Sequence, residues 1–308
     1  MAEPTPQELT DTLVELLTIR RTGENAFEGG WQPGGAGRVF GGQVIAQGLQ
    51  AAQATAPEGM AAHSLHAYFL RGGTEGLPTH YTIDRDLDGR SFANRRVVAS
   101  QEGSPILTLT ASFQRAERGL SHVAAPMPDI PAPETLPSDS ERRREVVEQL
   151  GEALNDGQRA FIQRPRPIEL RTCGELHWTS REPAPPVANS WFQVRGRLPD
   201  DAALHRAVLA YASDYTLLGT AALPHGLSWM RGELVGASLD HAIWFHAPAV
   251  EAWRADDWLL YATDSPWSGS GRGFNRGRVY TAAGQLIAST AQEGMMRPKR
   301  ARSNTPPA

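Results

Sequence analysis

The sequence predicts an α+β chain: two related modules in tandem, each a long helix followed by an antiparallel meander whose sheet can curl around it. Three observations predict this. A Pro-rich interval at 124–137, followed by the charged run Glu141 to Glu148, divides the 308 residues near their middle. On either side the same series of segments recurs. Arg90-Ser91-Phe92, Arg96-Val97-Val98, a turn at Glu102-Gly103 and the run Ile106 to Ala111 stand in the first half. Arg272-Gly273-Phe274, Arg278-Val279-Tyr280, a turn at Ala283-Gly284 and the run Leu286 to Gln292 stand in the second. The offset is 182 residues before the turn (90 to 272) and 181 at it (102 to 283). Finally, a helical stretch precedes each series.

In chain order, Gly42 to Thr55 carries Val44, Ile45, Leu49 and Ala52 on one helical stripe. Ser64-Leu65-His66-Ala67-Tyr68-Phe69 then finds a counterpart in Ser238-Leu239-Asp240-His241-Ala242-Ile243-Trp244-Phe245. Leu107, Leu109, Ala111 and Phe113 alternate with Thr108, Thr110, Ser112 and Gln114, the period of a half-buried strand. The middle reads as a linker plus a short exposed helix. A second helix is expected over Ala202 to Leu218, and two such units can join edge to edge, each covering the other's exposed strand. The expected boundaries are an N-terminal module at 1–123, a linker at 124–163, a C-terminal module at 164–300 and a disordered tail at 301–308.

Hydrophobic residues at 40% and charged residues at 21% suit a globular protein with a substantial core, and no apolar run is long enough to cross a bilayer. A net charge of −4 gives no basic field for nucleic acid or anionic lipid. The single cysteine, Cys173, excludes an internal disulfide and reads as a small buried residue. Lys299 is the only lysine, so arginine supplies nearly every cation, a usage that suits a phosphate-bearing ligand as well as a biased genome. Neither terminus carries a recognisable leader, address or lipidation site, and a cytoplasmic location is the expectation.

Chemistry centres on Asp214, in Ala212-Ser213-Asp214-Tyr215-Thr216. Mid-helix, its neighbours at three and four positions are Ala210, Tyr211, Leu217 and Leu218, an apolar stripe. Desolvation there raises a carboxyl pKa toward the range of a base at neutrality, although a structural Asp bonded to a backbone or hydroxyl fits the same position. Ser238, at a strand start, and Gln292, near the end of the last strand, are uncharged polar groups suited to orienting a water; a strand-start residue and an edge-strand amide are their plainer readings. The glycine-rich Gly34-Gly35-Ala36-Gly37 puts Phe40 where a dinucleotide fingerprint wants its third glycine, and no G-x-S-x-G elbow occurs. His63 with His66, and His241 with His246, lack metal-binding spacing. No metal and no cofactor are expected.

Five segments, RVFGGQVIAQGLQAA from Arg38, HSLHAYFLRGG from His63, LAYASDYTLL from Leu209, SLDHAIWFH from Ser238 and STAQEGMMR from Ser289, closely resemble the acyl-coenzyme A thioesterase II family, in order from about Leu13 to Arg297. The resemblance implies a double hotdog fold, two tandem helix-wrapped-by-sheet modules sharing one pseudo-dimeric sheet. It also implies hydrolysis of fatty acyl-CoA, of medium to long chain, to fatty acid and CoA. Motif by motif it carries a catalytic Asp onto Asp214, a hydroxyl onto Ser238 and an amide onto Gln292, with His63 and His66 in support or channel roles. Gly41 and Gly42 let a ligand approach a helix start closely. Arg272, Arg276 and Arg278 are candidates for the CoA phosphates, against an alternative as solvated surface arginines. The first-half helix has no Asp or Glu between Gly41 and Thr55, so one trio per chain is expected. A non-catalytic acyl-CoA binder on the same fold is the rival, with Trp191, Trp229, Trp244 and Trp267 lining a slot or, for most, in the core. A hotdog hydratase is disfavoured, because no histidine follows Asp214 until His225. Monomer and homo-oligomer both stay open.

Overall fold

In a computed structural model, which describes residues 3–33, 37–174, 176, 182–229 and 231–299, the repeated segments become matching strands of one sheet. Residues 34–36 of the glycine-rich segment and the 301–308 tail lie outside the described residues. The first half begins with α1 (Pro6–Leu17), started by Pro6 and a Thr5–Glu8 capping box, and two short strands, β1 (Arg20–Gly23) and β2 (Ala26–Gly29). A central helix, α2 (Gly41–Gln53), leads into β3 (Met60–Phe69), β4 (Thr79–Asp88), β5 (Phe92–Gln101) and β6 (Ser104–Arg115). Glu102 and Gly103 join β5 to β6 with φ of 47° and 75°, the left-handed pair that a two-residue hairpin turn requires.

The middle of the chain forms two helices, α3 (Asp139–Leu150) and α4 (Asp156–Gln163). The short exposed helix expected there has instead one buried face, with Asp139, Arg143 and Val147 turned inward. The Pro-rich segment before it is pinned to the sheet: Trp191 Nε1 donates to the Pro131 carbonyl at 2.9 Å, and the Tyr280 hydroxyl reaches Ala125 O at 3.2 Å. The second half repeats the first, with β7 (Ile168–Cys173), β8 (Val187–Val194), α5 (Ala202–Ser213), β9 (Leu234–Ser238), β10 (Asp240–Phe245), β11 (Leu259–Gly269), β12 (Arg272–Thr281) and β13 (Leu286–Pro298).

Strand order among the described residues is β1-β2-β4-β5-β6-β3-β10-β13-β12-β11-β8-β7, with β9 also on β13. The two halves of that order mirror each other about the β3–β10 junction. There the repeated segments pair antiparallel, Ser64 opposite Trp244 and Tyr68 opposite Asp240, so the edge-to-edge union takes the form of one continuous sheet. Both long helices lie on one face and pack against each other. A single core unites them: Ile45 and Leu49 from α2, Val208 and Leu209 from α5, and Leu65, Leu109, Ile243 and Val279 from the sheet are all within 2% of full burial. Each such side chain contributes about 1.5–3 kcal/mol of transfer free energy. α2 is buried beyond its predicted stripe. Gln47 is enclosed because its amide donates to Leu16 O at 2.6 Å and its carbonyl accepts from the Tyr81 hydroxyl at 2.7 Å.

The second helix stops sooner than its apolar pattern suggests. α5 ends at Ser213, and Leu217–His225 form a 3₁₀ segment, so Asp214 is a C-cap residue with φ −86° and ψ −3° and not a mid-helix one. The final turn is taken over by side chains: Ser213 Oγ donates back to Ala210 O at 2.9 Å, and the Tyr261 hydroxyl donates to Ser213 O at 3.2 Å. Two strand placements also change. Ser238 closes β9 where a strand start was expected, and Gln292 lies inside β13, which is flanked by strands on both sides. Cys173 is half-buried, and Trp244 and Trp267 are surface residues outside the core, at 37% and 45% exposure.

Candidate active site

A break in the sheet sets the geometry. Against β13, Ala242 pairs with Ala291 and Ser238 with Gly294, so three residues, 239–241, face only two, 292 and 293. This bulge is closed by Asp240, whose carboxylate accepts from Glu293 N at 2.7 Å, and by Leu239 N donating to Glu293 O at 2.9 Å. Bulges re-aim side chains. Here Gln292, on the helix-facing side of β13 and fully buried, comes level with Ser238 at the end of β9 and with Asp214 at the end of α5.

The three groups meet. Gln292 Nε2 donates to Asp214 Oδ1 at 2.7 Å and lies 3.0 Å from Ser238 Oγ, while Ser238 Oγ is 3.5 Å from the same carboxylate oxygen. The Asp214 side chain is 6% exposed. Desolvation pushes its pKa up to about 6, against the lowering effect of Gln292, the Gly42 amide and Ser238. Gln292 Oε1 is buried with no hydrogen-bond partner, an acceptor left over after the amide nitrogen is committed.

A fourth residue, His241, belongs to this cluster; sequence reasoning set it aside as a metal ligand and did not place it in the site. Its Nδ1 is 3.1 Å from Gln292 Nε2, and its Nε2 is 2.8 Å from Ser213 Oγ. Since Gln292 presents a donor, Nδ1 accepts and Nε2–H donates to Ser213. Burial holds the His241 pKa down to about 4, so the ring is neutral and fixes the amide rather than pairing with Asp214. The signal lay in Asp240-His241: one side chain caps the bulge and the next points inward.

The first module supplies the other wall. α2 starts against Asp214 so closely that a Cβ on Gly41 would fall 2.7 Å from Asp214 Oδ2, and one on Gly42 would fall 2.5 Å from the Tyr211 carbonyl. Both glycines are therefore required by proximity, and the helix N-terminus faces the carboxylate. A cavity of about 310 Å³ opens beside Asp214 and Ser238, walled by Val39, Val44, Phe69, Leu70, Ile106 and Leu107. At the corresponding end of α2 the C-cap residue is Ala54, and the adjacent Thr55 is locked by the buried Arg95, whose Nε donates to Thr55 Oγ1 at 3.0 Å. The second module alone carries a carboxylate at this helix end.

Four other sequence candidates are not brought here. His63 and His66 alternate with the inward residues of β3: His63 bonds Ser112 Oγ at 2.8 Å, and His66 stacks edge-on against Trp244. Arg272 and Arg276 occupy the outer face of β12, paired with Glu293 and Asp264. Arg272 and Arg276 alternate with the inward residues of β12, and the bulge at Ala62/Ser64 puts both His63 and His66 on the outward side of β3, so all four point away from the Asp214 cluster. Arg278 shares that face and sits 3.7 Å from Asp264. Among the described residues, no group of three or more His, Cys, Asp or Glu is arranged to hold a metal ion.

Comparison with known proteins matches residues 27–114 to the acyl-CoA thioesterase N-terminal domain and residues 133–296 to the acyl-CoA thioesterase C-terminal domain. Human acyl-coenzyme A thioesterase 8 is 37% identical over 304 residues, covering 96% of this chain and 92% of its own. The crystal structure of an acyl-CoA thioesterase II, TesB2, from Mycobacterium marinum superposes with a TM-score of 0.73 at 36% identity, covering 93% of this chain and 98% of that one. A protein of unknown function with a hotdog fold from Alicyclobacillus acidocaldarius, 20% identical with a TM-score of 0.74 and coverage of 94% and 99%, shares the fold.

Proposed function

The chain belongs to the acyl-CoA thioesterase family, and on that premise we propose that it hydrolyses fatty acyl-CoA to a fatty acid and CoA, with Asp214 as general base toward a water held by Ser238 and Gln292. One observation carries the reading: a single carboxylate oxygen, on a side chain 6% exposed, lies 2.7 Å from the Gln292 amide and 3.5 Å from the Ser238 hydroxyl beside an apolar cavity. Water lying against Asp214 would lose its proton to the carboxylate as its oxygen attacks the thioester carbonyl. The Ser238 hydroxyl fixes its orientation, and the Gln292 amide holds the carboxylate that takes the proton. The carbonyl oxygen, gaining charge, is served by the amide end of α2 at Gly41. Collapse of the tetrahedral adduct breaks the C–S bond, and the CoA thiolate leaves with little need for a proton. The apolar part of the cavity lining, Val39, Val44, Phe69, Leu70, Ile106 and Leu107, fits an acyl chain, and a medium to long chain is the proposed substrate.

Free-thiol release from a panel of acyl-CoA substrates of rising chain length tests this directly. Hydrolysis is expected, and binding without thiol release would turn the reading to a non-catalytic acyl-CoA binder. A cytoplasmic location belongs to the same proposal, and cell fractionation checks it; sedimentation decides between the monomer and the homo-oligomer.

Two further outcomes follow. The base must be ionised, so kcat approaches a tenfold fall per pH unit below an apparent pKa of about 6 and levels off toward neutrality. A profile with no limb between pH 5 and 7 would contradict the assignment. Ser238→Ala and Gln292→Ala each lower kcat by less than Asp214→Asn, about 10-fold, since each orients the water without taking its proton. A loss in either variant equal to that of Asp214→Asn would move the base function elsewhere.

A further inference from the structure

Two cavities outside the cluster above meet at a pair of arginines. One, of about 390 Å³, lies behind Tyr215, the residue after Asp214, and Phe40, the N-cap residue of α2; their rings pack 4.9 Å apart. Its walls are largely apolar, with Ile162, Leu170 and Trp229 among them. The other, of about 430 Å³, has Arg144, Arg164 and Arg195 around it and Glu3 at its edge. Arg143 and Arg166 line both.

These two guanidinium groups are unusual in what they lack. Arg143 is 5% exposed, and Arg166 Nε is buried without a partner. Among the described residues neither makes a side-chain hydrogen bond or an ion pair; the contact of Arg166 is with the Tyr215 ring, 5.7 Å from its centre. Asp139, one helical turn before Arg143, is committed to Thr172, accepting from its N at 3.0 Å and its Oγ1 at 2.9 Å. Arg195 is engaged by Glu169 and by the Arg166 carbonyl. Burial and the neighbouring Arg166 pull the Arg143 pKa down to about 10, which still leaves it charged at neutrality. Two neighbouring like charges, one buried and one partly buried, have among the described residues only the Asp139 carboxylate, itself hydrogen-bonded to Thr172, acting on both, so an anionic ligand would stabilise them further. The fork of a guanidinium matches the paired oxygens of phosphate or carboxylate.

We propose that Arg143 and Arg166 bind an anionic group of the substrate, a phosphate of its CoA part or a carboxylate ending its acyl part. The assignment rests on the acyl-CoA hydrolase reading and adds a determinant of which substrates are accepted. On this proposal the intervening arm of the substrate would pass Tyr215 and Phe40 between the apolar cavity and Asp214, and the arginine pair would read what lies at the far end.

The test compares Arg143→Met and Arg166→Met with the parent on three substrates of equal chain length: an acyl-CoA, the acyl-pantetheine without phosphates, and an ω-carboxyacyl-CoA. If a phosphate is read, kcat/KM falls about 10- to 100-fold on both CoA substrates, mainly through KM, and at least tenfold less on acyl-pantetheine. If a carboxylate is read, the excess loss is confined to the ω-carboxyacyl-CoA. In either case Arg→Lys recovers part of the loss, and the Met variants melt no lower than the parent, because a guanidinium without a hydrogen-bond or ion-pair partner has been removed. An equal loss on all three substrates together with a lowered melting temperature, or no loss on any, overturns the anion site. Thiol release by the parent enzyme decides the hydrolase reading independently.

Discussion

Asp214→Asn lowers kcat at least about 100-fold while the protein stays folded, the low end of what general-base help contributes. The amide has the shape of the carboxylate, so its oxygen can keep Gln292 at 2.7 Å; what is lost is the ability to take a proton, together with one of the two acceptor oxygens offered to Gln292 and the Gly42 amide. The stability consequence has a definite sign. The carboxyl binds its proton more tightly folded, at about 6, than at its ordinary value of 3.8, so the folded state holds more protons between those values. Stability therefore falls as pH rises from about 4 to about 6, by about 3 kcal/mol in all. The Asn variant loses this dependence, and at pH 7.5 it melts no lower than the parent. Thiol release and thermal melts at pH 5 and 7.5 check both halves; an Asn variant that turns over at the parental rate removes Asp214 from the base role.

Gly42→Val is the substitution expected to cost most in folding. α2 and α5 cross with so little separation that even one methyl on Gly42 would stand 2.5 Å from the Tyr211 backbone carbonyl and 2.6 Å from the Phe40 ring. Backbone cannot rotate away as a flexible side chain can, so the helices must part. Overpacking of this kind costs about 3 kcal/mol. Separation also carries the Gly42 amide away from Asp214, and activity well below the melting temperature drops at least about tenfold with it. Denaturant titration and kcat on the same preparation measure the two together. A midpoint and turnover like the parent's would show that the helix crossing is looser than these distances state.

Much of the fold was legible because a repeat is visible without knowing any conformation. The offset linking Arg90 to Arg272 dictates two copies of one unit, and alternation along Leu107 to Gln114 dictates strands. Asp214 stood out because a lone carboxylate among Ala210, Tyr211 and Leu217 is physically conspicuous. The remainder depended on contacts far apart in sequence. Where α5 stops is decided by Tyr261, 48 residues from Ser213, which no local pattern records. Which face a strand residue takes is a matter of parity. The bulges at Ala62/Ser64 and at residues 239–241 reset that parity, so His63 and His66 turned outward while His241 turned in. Arg272 and Arg276 looked suited to phosphates by type alone, yet each has a carboxylate across the strand. Arg143, by contrast, sat in a run that reads as a solvated helix, and only the packing of α3 against β7 shows it buried.

A single turnover in H₂¹⁸O, with enzyme in excess over acyl-CoA, tests most directly whether Asp214 acts on water. Mass analysis of the fatty acid and of the peptide containing Asp214 is the readout. Direct attack by an activated water places one ¹⁸O in the released fatty acid and none in the protein. Label in the Asp214 carboxylate would mean that it had formed an acyl anhydride with the substrate, and the base assignment would be wrong.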